Sequence, residues 1–488
     1  MVSNAKKTAL SNYFNTAVDA IVGLIVNPIF LAALGTTNFG VWKAIQRVLA
    51  VGSTANGGAI QSLKWVIAHR SKSSTDDEKR RDVGAALTVL FYWSPILIAV
   101  TAVIVALLPE LMRDVPHGDM AMVYLTGSIL GLNIVLMNLA AVPNSVLVGV
   151  NQGFRSMNIT TAVFVVTNVG MVAAAMLGLG PVGMAAAMTA GTAINGVLTF
   201  VVLRKRVSWW GVAKPSRGDI SRLSKFSGWV LAWSFVIRLS LATEVIVLSA
   251  FAGVEFVSSY TFTSYVVLFG LAICQLTTSS MMPKLGSLIG NEEWLEAQAV
   301  TREARELTIA LATGMGSLVI LLNEPFVEIW AGEQQFMGQG VNVLMVIAFV
   351  QFAIFRTDAQ IQDTGLDIGK KVALGAVMTA LAIVAGGVAF LISHSIEMMF
   401  LAIIITRISG SIGFPILANR VARSRSWPVG RTAMGVLILM VSISSAPFLQ
   451  AHNLIQLIGF AAVAVLILAP TIFYTTLSTS TRKKLLSR

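Results

Sequence analysis

Cysteine is almost missing from this chain. One residue, Cys274, is the sole cysteine in 488, so no intramolecular disulfide can form and cysteine usage says nothing about redox compartment. Histidine is nearly as scarce. His69, His117, His394 and His452 have no second histidine, cysteine or acid at metal-ligand spacing, so no metal site is expected. Charge is thin too: Asp, Glu, Lys and Arg make up 12% of the residues, against about 25% in soluble domains. No G-x-x-x-x-G-K-[ST] run is present, so the chain is not expected to use ATP by itself, and no cofactor is implied. No stretch has the charged start, short apolar core and small-residue cleavage site of a signal peptide, so the first helix is expected to stay. The longest loops run to about 20 residues, too short for a soluble domain.

What fills the chain instead is apolar. Hydrophobic residues make up 56% of it, and the mean hydropathy is +0.78. Segments of the ~20 residues needed to span a bilayer recur along the whole length. Fourteen are read, over roughly 8–33, 39–68, 83–108, 119–149, 158–178, 182–203, 226–251, 254–284, 306–323, 338–360, 370–391, 397–419, 431–449 and 453–477. Each must satisfy its own backbone in lipid, so they are helices. Alternating fourteen spans places 29 of the 35 basic residues on the face that holds both termini, and Arg113 alone on the other. Basic loops mark the cytoplasmic side. The expected protein is therefore all-α and polytopic, with both ends cytoplasmic. The net charge of +12 reflects this bias beside anionic membrane lipids, and no nucleic-acid partner is implied.

A basic loop near 204–225 separates two six-span halves. Leu31-Ala32-Ala33-Leu34-Gly35 falls against Ser249-Ala250-Phe251-Ala252-Gly253 at an offset of 218, and Phe39 matches Phe256 after one gap. Asn151-Gln152-Gly153, before span 5, is similar to Asp363-Thr364-Gly365, before span 11. An even number of helices per half makes such repeats parallel, with a binding site expected at their interface near the midplane. The expected divisions are 1–210 (first lobe), 211–430 (second lobe) and 431–488 (two added helices and a basic tail).

Five bases, Lys43, Arg47, Lys64, Arg238 and Arg407, fall inside apparent spans, against two acids, Asp19 and Glu244. A charge at the bilayer centre costs at least ~2.5–3.5 kcal/mol, so such groups face a bundle interior or a wet cavity. The surplus of positive charge points to an anionic substrate, and arginine's planar fork suits phosphate. Lys43 and Lys64 lie near span ends, where snorkelling to the headgroups is an equal reading. Either acid could pair with a deep arginine. Asn12, Asn15, Asp19, Gly23 and Asn27 line one helix face. They read as a cavity wall with a titratable acid, or as polar glue between helices. Pro28 follows as a candidate hinge, and 52–58 is polar and glycine-rich. Asp76-Asp77-Glu78 reads as a solvated turn, and Trp209-Trp210 as an interfacial anchor.

The run Leu34-Gly35-Thr36-Thr37-Asn38-Phe39-Gly40-Val41-Trp42, with Pro28 upstream, resembles that of Wzx-type oligosaccharide flippases. Asn151-Gln152-Gly153 and Gly180-Pro181-Val182-Gly183 are similar to the family pattern as well. The superfamily also holds multidrug-and-toxin extrusion antiporters and the lipid II flippase. The resemblance implies two pseudo-symmetric six-helix lobes around a central cavity that opens alternately to each side, with two C-terminal helices. It implies an undecaprenyl-pyrophosphate-linked glycan as substrate, a coupling ion (proton or sodium), and surface polysaccharide biosynthesis. A monomer is expected, possible neighbours being the polymerase and export machinery. Arg47 and Arg238 match the family's cavity arginines as candidates, while Arg407 rests on depth alone. The alternatives are a drug antiporter of the same fold, a lipid II flippase, or a membrane enzyme, for which the outer loops are short.

Overall fold

The computed structural model describes residues 4–53, 58, 60, 63–64, 66–67, 75–112, 119–150, 152–365, 368–424 and 427–486. Every regular element among them is helical. Thirteen helices there are long and apolar enough to cross a bilayer. Helix α1 (Asn4–Gly52) holds two of the fourteen expected segments. Its 49 residues would make a rod about 74 Å long, more than twice the hydrocarbon thickness. The backbone leaves helical values at Gly35, with φ 75° and ψ 168°, a conformation glycine reaches without steric cost. The break is therefore at Gly35 and not at the expected hinge Pro28, whose fixed φ of about −65° is itself helical. The arm after Gly35 is the start of the second expected span, 39–68, so the described residues hold thirteen candidate spans, the first of them broken in two. Residues 54–57 of the polar run lie outside the described residues.

Contacts divide the chain into two compact units, Met1–Glu255 and Phe256–Arg488. In the first, α2 (Asp76–Leu107), α3 (Met120–Gly149), α4 (Gly153–Met176), α5 (Gly180–Arg206) and α6 (Arg217–Val247) follow α1. A π-helical turn, Leu248–Ala252, extends α6. The acids 76–78, read as a turn, are the first helical turn of α2. Thr75 and Glu78 form a capping box there, and Ser216 with Asp219 does the same for α6. The T-x-x-E spacing was the available signal. α5 packs on α3 and α4, and α1 packs on α4 and α6. The loop between the halves folds back onto α2: Arg80 Nε donates to the Trp209 carbonyl (2.8 Å), and Ala213 N–H to that of Arg80 (3.1 Å). Trp209 is accordingly buried, with the Lys79 ammonium 5.7 Å from its ring, and does not serve as an interfacial anchor. α6, assigned by repeat to the second lobe, counts by contact with the first unit, so division by repeat and division by contact differ by one helix.

The second unit runs through α7 (Val254–Thr263, whose first two residues fall in the first unit), α8 (Tyr265–Gly290), α9 (Trp294–Ala331), α10 (Gln339–Asp363), α11 (Gly369–Ser393), α12 (Ile396–Val421), α13 (Val429–Ser445), α14 (Leu454–Thr476) and α15 (Thr479–Leu486). α9 is its pillar and packs on α8, α10, α13 and α14. The two added helices, α13 and α14, are thus seated on α9. Large apolar side chains such as Phe91, Ile392 and Leu466 are mostly exposed. On a helix of this composition that surface meets lipid.

Candidate functional site

The polar face of α1 is engaged partly with α4. Thr161 Oγ1 on α4 donates to Asn15 Oδ1 (2.7 Å), and Asn15 Nδ2 lies 3.4 Å from Asp19 Oδ2. Asp19 is exposed and makes no ion pair among the described residues. The side chain of Asn12 lies outside the described residues. Asn27 is buried, and Lys43 Nζ donates to its Oδ1 at 2.8 Å. That bond joins the two arms of α1 across the Gly35 break. Lys43 is therefore turned to a polar partner and to the Phe39 ring at 5.2 Å, and does not snorkel.

Lys43, Arg47 and Ala50 recur at helical spacing, so they share one face with about 5–6 Å between successive turns. Arg238 of α6 joins that row. Its Nη1 donates to the Ala50 carbonyl (3.2 Å) and to Ser53 Oγ (2.7 Å). The guanidinium sits where carbonyls of the last α1 turn carry negative partial charge, a favourable place for a cation. Pairing of Arg238 with Asp19 or Glu244 is not found. Arg47 is half-buried with no polar partner among the described residues. Lys43 and Arg47 on the arm of α1 that follows Gly35, and Arg238 seated at its end, thus form one row of three cations. Ser53 and Thr161 were not singled out in the sequence, although Ser53 belongs to the polar run. Lys64 is half-buried, with its carbonyl close to Gly149 at the end of α3. Glu244 is buried in α6.

Arg407 belongs to the second unit. Its guanidinium is 5.9 Å from the Phe352 ring and the residue is 2% exposed, a cation of that unit's interior. The sequence count of deep charges missed others there. Arg305 and Asp358 are both fully buried, with Arg305 Nη2 2.7 Å from Asp358 Oδ1. Lys371 pairs with Asp363. Glu306 accepts from Ser478 N–H (2.9 Å) and Thr481 Oγ1 (2.7 Å) and pairs with Arg431 (3.0 Å). Arg305 and Asp363 lie just outside the apolar windows, and Glu306, Asp358 and Lys371 fall within a few residues of their ends, where charge is read as belonging to the loops.

The two halves echo each other at their outer ends. Gly253 repeats the Gly35 break, with φ 123° and ψ 156°. The breaks touch: Thr37 Oγ1 donates to Glu255 Oε1 at 2.8 Å, two positions 218 apart. A Cβ placed on Gly40 would lie 1.9 Å from the Val254 carbonyl oxygen.

No protein-family model matches the chain, and no curated protein matches it in sequence. Solved structures do. A lipid II flippase, MurJ, in an inward closed conformation superposes with a TM-score of 0.68 at 15% identity, covering 96% of this chain and 98% of that one. A multidrug resistance MATE family transporter of the MOP superfamily, inward-facing, gives 0.62 at 15% identity over 84% and 95%. A MATE structure in complex with MaL6 gives 0.61 at 15% over 86% and 96%. The chain is a multi-pass membrane protein whose all-helical fold is like that of these MurJ and MATE structures.

Proposed function

We propose that the protein is a flippase that carries an undecaprenyl-pyrophosphate-linked oligosaccharide from the cytoplasmic to the outer leaflet of the bacterial inner membrane by alternating access, for surface polysaccharide synthesis. One observation carries the reading: the row Lys43, Arg47 and Arg238, in which neither arginine meets a carboxylate among the described residues. A pyrophosphate dragged bare through hydrocarbon is prohibitively costly. A hydrated cationic row offsets that cost while the prenyl tail stays in lipid. A cationic drug would favour acids over this row.

The test is a protection assay in proteoliposomes with the labelled lipid-linked oligosaccharide. Arg47→Ala and Arg238→Ala are each expected to slow flipping at least tenfold, about 1.4 kcal/mol of lost interaction with the moving anion. Lysine at either position should retain part of the rate if charge dominates over bidentate geometry. Wild-type flipping by both alanine variants would sink the proposal.

The exposed Asp19 supports an ion-coupling role for the arm of α1 that precedes Gly35, and Glu244 is the second candidate. Since Asp19 holds no arginine among the described residues, Asp19→Asn is expected to leave stability within about 0.5 kcal/mol. It should also abolish the dependence of flipping on a proton or sodium gradient. Unchanged gradient dependence would remove Asp19 from the coupling step.

A further inference from the structure

Where α13 begins and α14 ends, an open recess of about 650 Å³ is lined by Trp427, Gly430, Arg431, Tyr474, Thr475 and Arg482, among others. No acid lines it among the described residues. Arg431 is anchored through Nε to Glu306 at 3.0 Å. Its two terminal nitrogens have no partner among the described residues. Arg482 stacks its guanidinium 5.4 Å from the Tyr474 ring and reaches Thr479 Oγ1 at 3.4 Å, while its Nε is buried with no hydrogen-bond partner. Glu306, the carboxylate that fixes Arg431, already accepts from Ser478 and Thr481. The first turn of α13 borders the same space and has no side-chain cap.

We propose that this recess binds a phosphate-bearing anion, either the headgroup of an anionic phospholipid of the cytoplasmic leaflet or free phosphate. Two arginines with unused donors, an aromatic wall and an uncapped helix start form a cradle for negative oxygens. The level is that of the headgroups, because Val429 opens one membrane helix and Thr476 closes the next. Exposed Leu466 and Ile467 on α14 continue below it as an apolar surface for acyl chains. The site is built wholly from residues of the second unit and does not depend on what the protein transports.

The test uses the full chain purified in detergent. Native mass spectrometry with equimolar phosphatidylglycerol and phosphatidylcholine reads the lipid arm, and thermal unfolding in inorganic phosphate against chloride of equal ionic strength reads the free-anion arm. Retention of phosphatidylglycerol over phosphatidylcholine is expected, falling roughly fivefold in Arg482→Gln. Gly430→Glu is the second variant. A Cβ there meets nothing within 4 Å, and an acid suits a first helical turn, so the fold is kept while the recess turns repulsive. Retention lost in Gly430→Glu assigns the site to lipid. A phosphate-dependent stabilisation lost in the same variant, without lipid selectivity, assigns it to the free anion. The proposal is overturned if neither arm responds, or if the response is unchanged in Gly430→Glu.

Discussion

Arg305→Ala is expected to cost about 3–5 kcal/mol of stability, the usual result of leaving one member of a buried ion pair behind. Arg305 Nε donates to Asp358 Oδ1 at 2.8 Å, Nη1 donates to Asn419 Oδ1 at 2.8 Å, and the guanidinium lies 4.7 Å from the Trp427 ring. One side chain therefore joins α9, α10, α12 and the approach to α13. Alanine strands the Asp358 carboxylate at 0% exposure. The double change Arg305→Met with Asp358→Leu removes both charges and should recover most of the loss, because two apolar groups of similar volume need no partner. Thermal unfolding of the purified variants reads both effects. A single variant as stable as wild type would show that the pair is not what holds these helices together.

Gly40→Val is expected to separate α1, just past its Gly35 break, from the start of α7. The Val254 carbonyl oxygen occupies the space a side chain at position 40 would need, at 1.9 Å from its first atom. Backbone must move, and overpacking of this kind costs about 1–3 kcal/mol. The hydrogen bond from Thr37 to Glu255 lies within the same contact and should break with it. Paired substitutions Thr37→Cys and Glu255→Cys give the readout, with the buried Cys274 replaced by serine. A disulfide should form readily between them in the Gly40 protein and several-fold less in Gly40→Val. Equal cross-linking would mean that the contact tolerates a side chain. In a parallel repeat, equivalent positions meet only at the axis that relates them, and Thr37 and Glu255 are close to equivalent by the 218 offset. Opening this contact is therefore also expected to disturb transport.

The sequence carried most of the architecture because lipid imposes length and composition on every span, and both are visible in one dimension. It also matched Gly35 to Gly253, since the same backbone requirement selects the same residue twice. That the two breaks touch was not legible, because an offset carries no distance. The row of cations on α1 followed from helical spacing, whereas the seat of Arg238 on the Ala50 carbonyl needed the packing of α6. The reading failed most for Arg305, Asp358 and Lys371. They are buried by protein, not by lipid: for Arg305, α9 begins at Trp294, well ahead of the apolar window read from about residue 306, while Asp358 and Lys371 sit at the ends of their windows, where charge is read as belonging to the loops. For Arg407, depth was read correctly and the neighbour, Phe352, could not be.

The attachment of α15 to α9 has a consequence in time. Glu306 and Glu303 are met by Ser478, Thr481 and Lys484, which follow them by 172 to 181 positions. A ribosome adding about 5–20 residues per second takes roughly 9–35 s to cover that stretch. Throughout that interval α9 is already made, yet its two acids lack these partners, and Arg431 arrives only part of the way through. A nascent chain stalled before residue 478 leaves Glu303 without Lys484 and Glu306 with Arg431 as its partner but without Ser478 and Thr481, so the end of the chain completes the seat of α9 last.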